Sequence, residues 1–512
     1  METDQSTCHQ YHYGYSNAAG CLAGQVEPMG QQVPIAGITS RAVPGARTAC
    51  PRSAITPDLR QFAHIRMSRR HTSPVAMLIL LAIGALGTAV AVSRANATPA
   101  GFGFGALALI FVVAGVWSAN LGAGIHVRPR ALTFVAAALL AEFFVLLFQQ
   151  PSYLFIPRVV YVLLLGAAVP LAALALTGWI CPRHWSVAGL LVIYIALGVC
   201  IVVAAPTPAI DVWAWHREAL DALFAGRNPY AMTMPNIYGA AGSQNYAPSL
   251  VAGDRVLMGF QYPPLSLFLA IPGHLLGDYR YSLLIATAIS GVFLYLSRPG
   301  VLSAIAMALW LFSPVGFFVL QYGWTDSFPV LFLTMTVFAA SRQSRWLFVP
   351  LGLLFAVKQY AVLAAPLVFL LPALEGGAPV RGQIKLLLKA GAVGVAVTAP
   401  MFLLNPAAMI RDLITFQVIQ PFRPDSLSVP GWWHQVTQGG SLPIWLCFVA
   451  IVPAIAVALW RCRVTAFAFP LAVAFVMMVF FAFGKQAFVN YYHFVFGALV
   501  TAFVFSAEDG RE

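Results

Sequence analysis

Hydrophobic residues in this chain of 512 residues come in long unbroken runs, not at the alternating or one-face spacing of a water-soluble fold. Runs close to the roughly 20 residues that cross a bilayer lie at 75–93, 101–121, 131–148, 159–180, 186–205, 280–297, 301–320, 327–340, 346–357, 360–374, 386–404, 441–459, 464–482 and 488–506. They predict an all-α polytopic transmembrane bundle of about fourteen helices. Residues 263–277 are also apolar, but Pro263, Pro264, Pro272 and Gly273 interrupt them, so a re-entrant or interfacial segment is expected there. Residues 1–66 hold no such run and are rich in Gly, Pro, Ser, Gln and Arg. A disordered cytoplasmic segment is expected up to about residue 70, with Met67-Ser68-Arg69-Arg70 having the look of a chain start.

Charge in the short loops orients the bundle. With Arg66, Arg69 and Arg70 inside, Arg128 and Arg130, Arg183, Arg298, Arg342 and Arg345, Arg381 and Lys385, Arg461 and Arg463 and the C-terminus fall on the same side. The loops 206–279, 321–326, 405–440 and 483–490 and the Lys358 corner then face outward, and most of the unusual polar residues lie in them. The expected location is the cytoplasmic membrane, with both termini cytoplasmic.

Composition agrees with a lipid-embedded chain: 60% of residues are hydrophobic and 9% charged, too few charges to cover a soluble globule. The net charge of +12 comes from loop residues that serve as orientation signals, so nucleic acid is not an expected partner. Seven cysteines are scattered without C-x-x-C spacing, which argues for neither a disulfide framework nor zinc. No repeat at a fixed period is visible, and no inverted pair of broken helices, which weighs against a transporter.

The long outer loop carries the candidate chemistry. Asp211 follows a hydrophobic run and precedes Val212-Trp213-Ala214-Trp215-His216, a setting that raises a carboxylate toward the range of a general base. The same residue would serve equally well as an ordinary helix cap. Residues 211–225 form an amphipathic pattern, with Trp213, Leu220, Leu223 and Phe224 apolar and His216, Arg217, Glu218 and Asp221 polar, expected to lie in the interface; Gly226 ends it. Glu142 is an acid inside a predicted span and is expected to pair with another polar group there.

The order of Ala209-Ile210-Asp211, Gly226-Arg227-Asn228-Pro229-Tyr230, Tyr262-Pro263-Pro264-Leu265, Gln321-Tyr322-Gly323-Trp324-Thr325-Asp326, Lys358-Gln359-Tyr360 and Arg423-Pro424-Asp425-Ser426 resembles the polyprenol-phosphate-sugar-dependent glycosyltransferases of the GT-C superfamily, especially the α-mannosyltransferases of actinobacteria. The likeness covers roughly 186–505 and divides the chain into additional N-terminal helices (75–185), a GT-C-like core (186–404) with its outer loop, and an outer loop with C-terminal helices (405–512). It implies an enzyme in which Asp211 is the catalytic base on an acceptor hydroxyl while a lipid-phosphate-linked mannose-like hexose or pentose enters from the bilayer. The acceptor would be a glycan or glycolipid. Asn228, Tyr230, Tyr262, Gln321 and Asp326 are then candidate substrate contacts, and Lys358, Arg423, Lys485, His434 and His493 candidate holders of the departing phosphate. No metal ligands are assigned, because Asp211 has no adjacent acid; a cofactor is not firmly expected. The alternative is a transporter or flippase of a lipid-linked glycan.

Overall fold

Long apolar runs become helices because a buried or lipid-facing backbone must satisfy its own hydrogen bonds. The computed structural model describes residues 74–93, 96–119, 140–142, 145, 158–177, 183–239, 245–372 and 379–506. The expected disordered segment and most of the span expected at 131–148 lie outside the described residues. All described residues belong to one unit, Ser68–Glu512.

In chain order the helices are α1 (Pro74–Ser93), α2 (Pro99–Ser118), α3 (Arg158–Thr177), α4 (Arg183–Ala204), α5 (Asp211–Phe224), α6 (Pro264–Leu275), α7 (Arg280–Ser297), α8 (Val301–Leu311), α9 (Pro314–Tyr322), α10 (Ser327–Ser341) and α11 (Phe348–Val357). A 3-10 segment (Gln359–Leu370) follows, then α12 (Pro379–Leu404), α13 (Pro406–Ile410), a π-helical turn (Arg411–Thr415), α14 (Phe416–Ile419), α15 (Val429–Val436), α16 (Leu446–Arg461), α17 (Ala468–Ala482) and α18 (Val489–Ser506). Three two-residue strands, β1 (Met234–Pro235), β2 (Val251–Ala252) and β3 (Arg255–Val256), make a small antiparallel sheet in the loop after α5, in the order β1-β3-β2.

Among the described residues, six helices (α1, α2, α4, α7, α12 and α18) are long and apolar enough to cross a membrane, and α8 with α9, bent by 41°, could make a seventh span. The expected count of about fourteen spans is therefore not confirmed by length among the described residues. Several of the remaining apolar runs fold into shorter pieces, because hydropathy counts apolar residues while reach depends on rise per residue and on breaks. The run expected as a helix at 360–374 is the 3-10 segment, with Pro366 inside it; proline has no N–H for the α-helical bond and its ring crowds the carbonyl one turn back. The apolar stretch near 263–277 is a helix of 12 residues, too short to span by itself.

The centre of the bundle is α18. In its best apolar window 89% of residues are buried, against 17% for α12, so α18 is enclosed by protein and α12 faces the surroundings. α1 packs along α2 and α18, α2 touches α17, α7 packs on α10, and α11 on α12. Gly352 permits the last crossing, its bare Cα lying against the Ala390 carbonyl.

The amphipathic helix α5 has its apolar face against protein: Val212, Trp215, Ala219, Leu220 and Ala222 are buried. His216, expected on the polar face, is buried with them. Its ring stacks on Tyr279 at 5.0 Å and meets Phe260 edge-on. Its Nδ1–H donates to the Val212 carbonyl at 2.8 Å, and burial pushes its pKa down to about 3, so the ring is neutral.

Candidate active site

Asp211 is the first residue of α5, and Ile210 is the helix cap. Its Oδ1 accepts the Val212 N–H at 2.8 Å, satisfying one of the helix's unpaired donors, and its Oδ2 accepts the Tyr246 hydroxyl at 3.1 Å. The carboxylate that lies in the pocket thus also serves the first turn of the helix, one position after the cap. Tyr246 lies along the helix, stacked on Trp215 at 5.5 Å, so one phenol covers two positions a turn apart. The Asp211 N–H makes a long contact of 3.5 Å with the Tyr238 hydroxyl. Burial raises the Asp211 pKa; the Val212 N–H, the Tyr246 hydroxyl and the Arg423 charge pull it partly back.

Asp211 lines a cavity of about 1130 Å³. Its wall is assembled from the start of α5, the loop before α6, the end of α9, the α11 to 3-10 junction, the segment 413–425 and the loop before α18. Three cationic side chains share that wall: Lys358, Arg423 and Lys485. Lys358 stands at the break between α11 and the 3-10 segment, in extended backbone (φ −145°, ψ 143°), so its side chain leaves the helical direction and enters the wall. Its Nζ lies 3.2 Å from Asp326 Oδ2 and 4.6 Å from the centre of the Tyr262 ring. Arg423 and Lys485 are brought side by side by their backbones: the Arg423 N–H donates to the Lys485 carbonyl, and further along the Leu427 N–H donates to the Ala487 carbonyl. The Arg423 guanidinium forks onto Asp425 at 2.9 and 2.7 Å. The Lys485 ammonium donates to the Val418 and Gln420 carbonyls at 3.0 and 2.7 Å, and its burial lowers its pKa.

Asp326 does not line the cavity. It is wholly buried behind the wall, where its carboxylate accepts from Lys358, from the Tyr360 hydroxyl at 2.6 Å and from Asn490 Nδ2 at 3.0 Å. All three donors line the cavity, so one hidden charge holds wall groups from two distant segments, the α11 to 3-10 junction and the start of α18.

The remaining expected site residues divide. Tyr262 lines the cavity. Tyr230 does not; it is buried and its hydroxyl donates to the Tyr262 carbonyl at 2.7 Å, so it supports the wall from behind. Asn228 is away from the cavity and accepts the Tyr230 N–H at 2.9 Å, as a turn-forming asparagine does. Gln321 is buried, and its backbone carbonyl accepts from Arg280 at 2.8 Å. His434 lies outside the lining, next to the Gly440 carbonyl at 3.3 Å and the Phe422 ring. His493 is buried in α18, stacked on Trp310 at 4.7 Å, with neither ring nitrogen hydrogen-bonded. These placements put Asn228, Tyr230, Gln321, Asp326, His434 and His493 out of reach of a molecule in the cavity, because turns, packing and buried pairing already use their polar atoms or enclose them. Glu142, expected to be paired, has its Oε2 buried with no partner among the described residues.

Tyr238 and Tyr246 were not singled out by pattern, since a polar loop has no period; the only signal is that tyrosines recur in the loop 206–279, at 230, 238, 246, 262 and 279. Gln359 and Tyr360, members of the Lys358-Gln359-Tyr360 motif but not singled out as contacts, also line the cavity, as do Gln261 and Asn490, which belong to no motif. Among the described residues no three His, Cys, Asp or Glu side chains come together to hold a metal ion.

Compared with protein-family models, curated proteins and solved structures, the chain matches none. What the site does is therefore argued from its own chemistry.

The arrangement can take a proton at Asp211 and hold an anion against cationic groups in one enclosed space. Part of the lining is apolar and exposed: Val362, Ile414, Ile444, Trp445 and Phe448 line the cavity and are not covered by protein.

Proposed function

We propose that the chain is a membrane glycosyltransferase that moves a sugar from a polyprenyl-phosphate donor to a glycan or glycolipid acceptor on the outer side of the cytoplasmic membrane. The observation that carries this reading is the sharing of one cavity by the Asp211 carboxylate and the Lys358, Arg423 and Lys485 cations. The acceptor oxygen attacks the anomeric carbon, the bond from that carbon to the phosphate oxygen breaks with its electron pair, and the acceptor proton passes to Asp211. Polyprenyl phosphate leaves with the added negative charge, which the cations stabilise as it grows. A single displacement of this kind inverts the anomeric centre. The raised pKa of Asp211 suits it to accept a proton, and the exposed apolar part of the lining suits a donor whose carrier is a lipid.

Asp211→Asn keeps the shape and the Val212 contact but removes the base. Sugar incorporation from a polyprenyl-phosphate donor in membranes should fall at least about 100-fold, with accumulation of the protein unchanged. Wild-type incorporation in this variant would remove Asp211 from the chemistry and the reading with it; loss of lipid-linked glycan export in its place would favour a carrier.

A further inference from the structure

The turn between α9 and α10 is held far more firmly than a connecting turn requires. α9 ends at Tyr322, and Gly323 follows in the left-handed region (φ 71°), with the Trp324 N–H reaching back to the Val319 carbonyl. Glycine is needed twice over, since a Cβ there would also run into the Tyr279 hydroxyl, which donates to the Gly323 carbonyl. On the upstream side Arg280, fully buried and paired with Asp278 at 2.6 Å, donates to the carbonyls of Gln321, Ala205 and Val202. On the downstream side Asp326 takes its three buried donors. Two buried ionic groups, each costly to remove from water, fix the few residues between them.

What those residues present is aromatic. Tyr322 and Trp324 flank the glycine and stack at 5.3 Å with 28° between their planes, and Phe318, one turn earlier, packs against both at 4.8 and 5.6 Å. All three rings are only partly buried and all three line the cavity. The shelf runs between the two halves of the chemistry. A side chain at Gly323 would touch Trp213, two residues after Asp211, while Asp326, two residues after Trp324, holds Lys358.

We propose that this shelf seats a sugar ring. It rests on the reading of the cavity as a glycosyl-transfer site, and it adds the surface that recognises the carbohydrate. A pyranose has one face rich in polarised C–H groups and a rim of hydroxyls. The C–H face suits the electron-rich face of an aromatic ring, and the hydroxyls suit amides such as Gln261, Gln359 and Asn490 on the same cavity wall. Rings fixed before binding lose little freedom when the sugar arrives. Kinetics tell whether that sugar belongs to the acceptor or to the donor.

The test compares Trp324→Phe and Trp324→Leu, with Tyr322→Leu as a second lesion, in full-length protein reconstituted in lipid. Phe keeps a π face; Leu keeps apolar bulk without one. With the leucine variants, KM should rise about tenfold for one substrate, the acceptor if its sugar uses the shelf or the donor if the transferred sugar does, and Phe should stay within a few-fold of wild type. Binding is read separately by isothermal titration of mannotriose into Asp211→Asn protein, alone and with Trp324→Leu added: saturable binding should be present in the first and weakened at least about tenfold in the second. Polyprenyl phosphate without sugar should bind both equally. Equal KM values for Phe and Leu variants, or stronger loss of polyprenyl phosphate than of sugar binding, would overturn the proposal in favour of an apolar chain on the shelf. Should the leucine variants not accumulate, tryptophan quenching by mannotriose in Asp211→Asn that disappears with Trp324→Phe added, while isothermal titration still shows binding, places the sugar at that ring, and no mannotriose binding to Asp211→Asn refutes it. The reading of the reaction fails separately, by full transfer activity in Asp211→Asn, with the sugar titration still intact.

Discussion

Replacing Asp326 by asparagine removes a negative charge from a place that water does not reach. The Asp326 side chain is fully buried and the Lys358 side chain is 4% exposed, with 3.2 Å between Nζ and Oδ2. Asparagine keeps the volume but leaves the ammonium without its counter-charge, and its amide cannot accept from Lys358, Tyr360 and Asn490 as the carboxylate does. Breaking a buried pair from one side costs about 3–5 kcal/mol, because the surviving charge keeps its desolvation penalty. Lys358→Met should cost a similar amount for the mirror-image reason. The double variant removes both charges and should recover most of the loss, leaving a coupling of at least about 2 kcal/mol between the two positions. The assay is unfolding of purified protein by sodium dodecyl sulfate titrated into a mild detergent, for wild type, both single variants and the double. A loss below about 1 kcal/mol for Asp326→Asn, or a double variant equal to the sum of the singles, would refute the claim that this pair fixes the cavity wall.

Tyr246→Phe removes a hydroxyl that holds the Asp211 pKa down, so that pKa rises further; in the proposed reaction the carboxylate is the active base, so the acid limb of the transfer rate should move to higher pH, measured as a kcat/KM profile. An unmoved limb with lower activity would make Tyr246 merely structural. His216 is neutral from pH 5 upward because burial pushes its pKa down to about 3, so His216→Gln should leave the position of both limbs unchanged even if activity falls. Gly352→Ala pushes a methyl into the Ala390 backbone and the Val393 side chain at the crossing of α11 and α12, and should destabilise the protein by about 1–3 kcal/mol in the detergent titration. A wild-type midpoint would mean that the two helices do not meet there.

The sequence alone determined that the chain is helical and that certain runs are long enough to span: α1, α4, α7 and α18 lie close to the limits read from hydropathy, because a long apolar run has few other ways to satisfy its backbone. It also placed Asp211 at the head of an amphipathic helix and a stop at Gly226, which adopts φ 70°. Periodicity records which face of a helix is apolar and is silent about what that face meets, so His216 read as polar surface although it is enclosed by three aromatic rings. Only tertiary structure decided that Asp326, Lys358 and Asn490, separated by 32 and 164 positions from the aspartate, share one hydrogen-bonded knot, or that Tyr246 reaches back 35 positions to Asp211. Local rules act over a turn or a strand; the meeting of distant polar groups depends on the packing of the whole bundle, and a single chain's pattern carries no term for it.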